Sequence, residues 1–353
     1  MKFLDLFAGI GGFRLGLEQA GHQCVGYVEW DEFARKSYEA IYNTEGEWTW
    51  YDITTIDYRD IPRSDCWTFG FPCQDISVAG EQKGFGGKRS SQFFAVTKRL
   101  RQIKEWDSEK MPSYLLIENV KNFLSVNRGW DFLEAQIELD EIGYNLEWDV
   151  LNSRDFSTKE RPTPQNRERV FIVGHLRGRS TRKVFPVKGT SCEVNSIDII
   201  AHRKGYRRNT QVFNPTGITE TLDTGQGGGR GHYTISKVEN ENHNEQGVFV
   251  KDIKCINPRK KDGSQTYQQD RVYETEGNMV ALSSQLSGRF NIVDPIDNYR
   301  IRKLTPRECW RLQGFPDWAF DRAAEVNSDS QLYKQAGNSV TVNVIEAIGK
   351  KLY

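Results

Sequence analysis

Short apolar runs alternate with amphipathic stretches over the first 176 residues of the chain. Lys2–Phe7 reads as a buried strand running into a glycine-rich turn, and Phe13–Ala20 as a helix closed by Gly21. Cys24–Trp30 reads as a second strand. Asp31–Tyr42 follows as a helix, with Asp31 placed to cap it. Trp67–Phe71 is a strand stopped by Pro72, Gln92–Trp106 a helix and Tyr114–Ile117 a strand. Asp131 and Glu134 have capping-box spacing for a helix that ends at Ile142. Tyr144–Leu151 and Val170–Leu176 complete the series as strands. Strands alternating with helices predict an α/β fold, a largely parallel sheet with helices on both faces.

After residue 177 this rhythm breaks. Gly, Asn, Thr and Arg dominate to about residue 300, and the pattern predicts a smaller strand- and loop-rich region without long helices. A weak repeat runs through it at an offset of 60: Val212-Phe213 with Val272-Tyr273, Gly217 with Gly277, Leu222 with Leu282. It is either a duplicated small sheet or chance similarity. Helical signals return at Thr305-Pro306-x-Glu308, which Gly314 can close, and at Val342–Leu352.

The 353 residues are 37% hydrophobic and 12% aromatic, enough for a core. No apolar run approaches the ~18–20 residues of a membrane span, and the acid at Asp5 argues against a signal peptide. Six scattered cysteines form no CxxC pair, and five histidines are too few to complete a zinc site, so no metal is expected. Unpaired cysteines suit a reducing cytosol. Net charge is zero, but Arg177 to Arg208 holds nine basic residues against two acids. A second basic cluster comprises Lys254, Arg259, Lys260 and Lys261. Such asymmetry fits either a polyanion partner or a solvated loop region.

Candidate chemistry sits at strand ends, where ligands bind in open α/β sheets. Gly9, Gly11 and Gly12 follow the first strand and let backbone approach a ligand. A dinucleotide fingerprint needs glycine at position 14, where this chain has Arg14, which disfavours a nicotinamide oxidoreductase. Glu29 can accept from ribose hydroxyls, Trp30 can stack on a purine, and Asp52 can meet an adenine amine. A nucleoside cofactor and a plain glycine turn flanked by surface acids both remain open on this motif alone. Cys73, fixed by Pro72, is either a nucleophile or a core-filling thiol. The polar, glycine-rich Asp75–Ser91 reads as a mobile loop. Glu118 would share the crevice, and Arg167 and Arg169 add two guanidinium groups.

Taken in order, these segments resemble the DNA cytosine-5 methyltransferase family of bacterial or phage type. The resemblance rests on Phe7–Phe13, Phe71-Pro72-Cys73-Gln74, Glu118-Asn119-Val120, Gln165-x-Arg167-x-Arg169, Leu304–Trp318 and Gly337-Asn338-Ser339-Val340. Phe71 stands where proline is commoner, and Ser91 where glycine is commoner.

That resemblance implies an S-adenosylmethionine-dependent, Rossmann-like mixed sheet over residues 1–177, completed by 328–353, and a target recognition domain over 178–327. It implies Cys73 as nucleophile, with Glu118, Arg167 and Arg169 as catalytic partners. S-adenosyl-L-methionine, leaving as S-adenosyl-L-homocysteine, would contact Phe7, Gly9, Gly11, Gly12, Glu29, Trp30, Asp52, Ile53, Pro72, Asn338 and Ser339. Double-stranded DNA would meet Ser77, Lys83, Lys88 and Arg89 on the loop, with Arg230 and Arg289 as candidate base readers or phosphate contacts. A monomer in the bacterial host cytosol is expected, with no membrane partner. The resemblance also allows a cognate restriction endonuclease in the same system, without a stable complex. An RNA methyltransferase on the same scaffold and a catalytically dead DNA-binding protein are the rival readings.

Overall fold

The computed structural model describes residues 1–71, 92–189 and 304–352, together with five strands between 199 and 303. These fall into two compact units. The first comprises Met1–Val194, Glu220–Gln226 and Pro306–Tyr353; the second comprises Asn195–Thr219 and Gly227–Thr305.

In the first unit, eight strands precede residue 177 among the described residues: β1 (Lys2–Leu6), β2 (Gln23–Val28), β3 (Trp48–Trp50), β4 (Cys66–Gly70), β5 (Tyr114–Val120), β6 (Tyr144–Asn152), the two-residue β7 (Gln165–Asn166) and β8 (Glu168–Leu176). Seven of them form one sheet in the order β3-β2-β1-β4-β5-β8-β6. β3, β2, β1, β4 and β5 run parallel, and β8 runs antiparallel between β5 and β6. The sheet is therefore mixed, and its order reverses at β1, the point where such folds bind ligands.

Among the described residues, the α-helices are α1 (Gly12–Gln19), α2 (Glu32–Ile41), α3 (Gln92–Trp106), α4 (Trp130–Ile142), α5 (Pro306–Leu312), α6 (Asp317–Val326), α7 (Asp329–Asn338) and α8 (Val342–Gly349). Strand alternation sorts the core into two layers. Leu4, Leu6, Trp67, Phe69, Leu115 and Ile117 face α3 and α4. Phe3, Cys66, Leu116, Phe171 and Val173 face α1 and α8. Asp5 shares that second face and is fully buried, where it accepts from the Thr68 hydroxyl at 2.9 Å.

The expected boundary at 177 moves outward. Glu147 of β6 accepts from the amides of Val184 and Phe185 at 2.6 and 3.2 Å, and Val184, Phe185 and Val187 pack into the second layer. Residues 306–327 also belong with the first unit. Arg322 bonds the Ile41 carbonyl at 2.8 Å, and buried Trp310 donates to the Leu332 carbonyl at 3.0 Å. Asp31 caps α2 as expected, accepting from Phe33 and Ala34 amides. The capping box at Asp131 does not form. Asn127, Arg128 and Gly129 all take positive φ, so α4 starts at Trp130 and Asp131 falls inside its first turn.

The second unit holds β9 (Ile199–His202), β10 (Gln211–Phe213), β12 (Tyr233–Lys237) and β13 (Tyr299–Lys303), with the short β11 (Thr219–Glu220) at the crossing between units. Its sheet runs β13-β12-β10-β9, with β10 and β12 parallel and the outer pairs antiparallel. The second half of the sequence repeat lies outside the described residues. Among the described residues, no helix is long and apolar enough to cross a membrane.

Candidate active site

The carboxyl ends of β1 to β5 and the end of α7 border a cleft of about 540 Å³. The turn after β1 forms its floor. Phe7, Gly9 and Gly11 take left-handed conformations there, with φ of 53°, 58° and 80°. Of the three glycines, Gly9 alone faces open space, with no atom within 4 Å of an added Cβ. A Cβ on Gly11 would lie 2.3 Å from the Tyr42 ring, and one on Gly12 would lie 2.7 Å from Val340. So Gly11 admits Tyr42, whose hydroxyl donates to the Gly11 carbonyl at 2.7 Å, and Gly12 admits the segment after α7. Gly11 is not among the residues bordering the cleft.

Arg14, weighed in the sequence only as a missing glycine, is buried and pairs with Glu47 through two bonds of 2.7 and 2.8 Å. Its guanidinium also lies over the Tyr42 ring, 4.5 Å from the centroid. It ties α1 to the segment leading into β3.

Glu29 enters the cleft just after β2. Its two carboxylate oxygens accept from the amides of Gly9 and Asp31, each at 2.7 Å. Burial pushes its pKa up, and these two bonds oppose that shift. A carboxylate oxygen can accept more than one bond, so the clamp leaves capacity for ligand hydroxyls. Trp30 beside it is 68% exposed. Asp52 folds back in an Asx turn, accepting the Thr54 amide and hydroxyl on Oδ1, both at 2.8 Å. Ile53 is buried and borders the cleft.

Glu118 lies within β5 rather than beyond it. The ladder with β8 continues through Glu118↔Phe171, Asn119↔Val170 and Val120↔Arg169, which carries the strand three residues past Ile117. Arg169 pairs with Glu118 through Nε at 3.0 Å. Asn119, 2% exposed, donates to the carbonyl of Phe71 at 3.0 Å and accepts the Val120 amide at 2.8 Å. It thereby ties the end of β5 to the residue that precedes Pro72.

Arg167 takes a different post from Arg169. It is buried, and its Nη2 donates to the carbonyls of Gly337 and Ser339 at 3.2 and 2.9 Å. Burial, and the charge of Arg169 beside it, pull its pKa down to about 9, which still leaves it charged at neutral pH. It therefore holds the end of α7, where Asn338 and Ser339 border the cleft.

That wall has further supports that sequence reasoning missed. Lys334 of α7 pairs with Asp31 at 2.6 Å. Gln313, fully buried, donates to the Ala336 carbonyl and accepts the Thr341 hydroxyl, while Gln165 donates to the Leu312 carbonyl. The glutamines of two separate sequence motifs thus work as internal struts.

Pro72, Cys73, Ser77, Lys83, Lys88 and Arg89 lie outside the described residues, as do Arg230 and Arg289. Among the described residues no His, Cys, Asp and Glu cluster could hold a metal ion.

The family profile of the C-5 cytosine-specific DNA methylases matches residues 1–353. The chain is 33% identical over 355 residues to the type II methyltransferase M.HhaI of Haemophilus parahaemolyticus, covering 99% of this chain and 93% of that protein. It is 34% identical to the type II methyltransferase M.SsoII of Shigella sonnei, over 99% of this chain and 79% of the relative. It is 27% identical to the orphan methyltransferase M.SPRI of Bacillus phage SPR, over 100% and 97%. The fold also aligns with the Dnmt2 methyltransferase of S. pombe at a TM-score of 0.63 and 20% identity, covering 98% of this chain and 96% of that one. On these grounds the protein belongs to the C-5 cytosine-specific DNA methylases.

Proposed function

We propose that the protein methylates C5 of cytosine in a specific duplex DNA sequence, with Cys73 as covalent nucleophile and S-adenosylmethionine as donor. One observation carries the reading: the Glu118–Arg169 pair and the Gly9 turn border a single cleft. The strand beside Glu118, β4, leads directly to Pro72 and Cys73.

The described residues suit the donor. Gly9 leaves room that any side chain would fill, Glu29 is held rigid by two amides, and Trp30 is exposed beside it. Phe7, Gly12, Asp52, Ile53, Asn338 and Ser339 would complete its contacts, with Pro72 behind the nucleophile. When bound, S-adenosylmethionine supplies an electrophilic methyl group to the activated C5.

The chain's own residues do the activating. Cytosine C5 is a poor nucleophile because its electrons belong to the aromatic ring. A Cys73 thiolate adding to C6 breaks that aromaticity and loads charge onto C5. If protonated, Glu118 donates to N3 and accepts from the exocyclic amine, drawing electrons out of the ring. Arg169 holds Glu118 in place. Arg167 acts one step back, through the backbone of α7. After methylation a base, such as water, removes the C5 proton and the Cys73 sulfur departs.

The thiol cannot reach C6 inside a stacked duplex, so the target nucleotide must be flipped out. Residues 75–91 would close over it, with Ser77, Lys83, Lys88 and Arg89 toward the DNA. The second unit, with its basic segments, would fix register on the phosphates and read base edges. Arg230 and Arg289 are the proposed readers. The reading fits restriction–modification or phage protection in a host cytosol.

The test is labelled methyl transfer to duplex DNA and to transfer RNA, with wild type and Cys73→Ser. Label should enter DNA with wild type and not with the variant. Label in RNA alone would favour the RNA methyltransferase instead, and near-normal turnover in Cys73→Ser would overturn the mechanism.

A further inference from the structure

α3 begins at Gln92, immediately after the segment that carries Cys73, and Gln92 itself borders the cleft. Two turns along the same helix sits Arg99, 6% exposed among the buried residues Val96, Leu100 and Ile103. Its side chain crosses to the turn after β3. Nε donates to the Ile53 carbonyl at 3.2 Å, Nη2 donates to the Thr54 carbonyl, and Nη1 donates to Gln102 at 2.7 Å.

Those two carbonyls lie beyond the β3 ladder, so the sheet supplies them no donor. The Ile53 carbonyl is buried, and a buried carbonyl without a donor is costly. An aliphatic residue at 99 would pack as well against Leu100 and Ile103 but would leave the Ile53 oxygen bare and release the half-buried Thr54 oxygen to solvent. A lysine would reach one. The forked guanidinium serves two successive carbonyls and Gln102 at once.

The turn so held is the one that presents Asp52 and Ile53 to the cleft. From within, the Asx turn on Asp52 sets its shape; from outside, Arg99 sets its position. We propose that Arg99 is a positioning residue for cofactor binding, fixing the Asp52–Thr54 turn against the helix that follows the nucleophile segment. The proposal rests on the S-adenosylmethionine reading of the cleft.

The experiment compares wild type, Arg99→Met, Arg99→Lys and the core control Leu100→Ala on the full-length protein. Calorimetry gives S-adenosylmethionine affinity, steady-state kinetics on duplex DNA give KM for the cofactor and kcat, and thermal melts give Tm. Arg99→Met should weaken cofactor binding and raise its KM by roughly tenfold, with kcat at saturating cofactor within about threefold of wild type. Arg99→Lys should fall between the two, and it carries the test if Arg99→Met does not fold. Leu100→Ala should lower Tm without moving KM. Unchanged affinity in Arg99→Met, wild-type affinity in Arg99→Lys, or an equal rise in KM for Leu100→Ala would each overturn the proposal. A folded wild type that binds no S-adenosylmethionine would reject the cofactor reading itself.

Discussion

Arg167 and Ser339, 172 residues apart in the chain, meet through a bond of 2.9 Å from guanidinium to backbone carbonyl. The next arginine, Arg169 on β8, reaches Glu118 instead. Neighbouring arginines of one motif thus serve a cleft wall and the Glu118 carboxylate respectively.

This division predicts different losses. Arg167→Lys should lower Tm and raise the cofactor KM, because one ammonium cannot reproduce two carbonyl bonds. Arg169→Gln should leave Tm near wild type and cut kcat by about 10²-fold, the scale of a positioned acid–base group. Thermal melts and steady-state kinetics on both variants check this. The same profile in both would dissolve the distinction.

Asn119 predicts a third profile. Asn119→Ala removes the bond to the Phe71 carbonyl, two residues before Cys73 in the sequence. We expect kcat to fall about tenfold, the scale of one lost buried hydrogen bond, with cofactor KM within about twofold of wild type. A pure KM effect in steady-state assays would contradict it.

The cleft-floor glycines separate space from shape. Gly12→Ala puts a Cβ 2.9 Å from the Val340 carbonyl, so it should destabilise the fold by ~1–3 kcal/mol. Gly9→Ala meets no atom but sits at φ +58°, costing ~1–2 kcal/mol of strain. Its methyl also enters the cleft. Cofactor affinity should therefore fall further in Gly9→Ala than in Gly12→Ala, and Tm should rank the other way if the Val340 clash dominates. Calorimetry beside thermal melts measures both.

Asp5 predicts a pH dependence of stability. Burial raises its pKa from 3.8 to about 8, outweighing the Thr68 bond and the Arg14 charge, which oppose the shift. The folded protein keeps this proton up to about pH 8, while the unfolded chain gives it up near 3.8. Folding therefore takes up a proton in that window, and stability drains as pH rises through it, by at most ~1.4 kcal/mol per pH unit. Asp5→Asn should flatten the decline between pH 5 and 8, measured by urea unfolding. Parallel curves for the two proteins would show that Asp5 is ionised in the fold.

Much of this was legible in the chain, for physical reasons that differ by element. α3 spans Gln92–Trp106 as its apolar spacing predicts, and Asp31 caps α2 because an N-cap is a local interaction. The reach of β5 through Glu118 was not legible, since strand length there depends on pairing with β8 more than 50 residues later. α6 and α7 escaped notice for a related reason. They are short, and long-range polar bonds such as Lys334–Asp31 and Asn327 to the Phe33 carbonyl hold them in place. The roles of Gln165, Gln313 and Arg99 likewise depend on partners far along the chain, which local pattern does not register.

The seating of α8 against α1 carries a consequence for biosynthesis. A Cβ on Gly16 would lie 2.6 Å from Ile345, and Val344, Ile345 and Ile348 close the apolar layer over Phe3 and Leu17. On a ribosome, β1 must wait for α8, made long after it, before that face is dry. A chain interrupted near residue 305 would carry β1 to β8 with one face only partly covered, by α1 and Val184–Val187, and the cleft lacking its α7 wall. Premature termination should therefore yield sticky, inert polypeptide, and no partial methylase able to act on the genome.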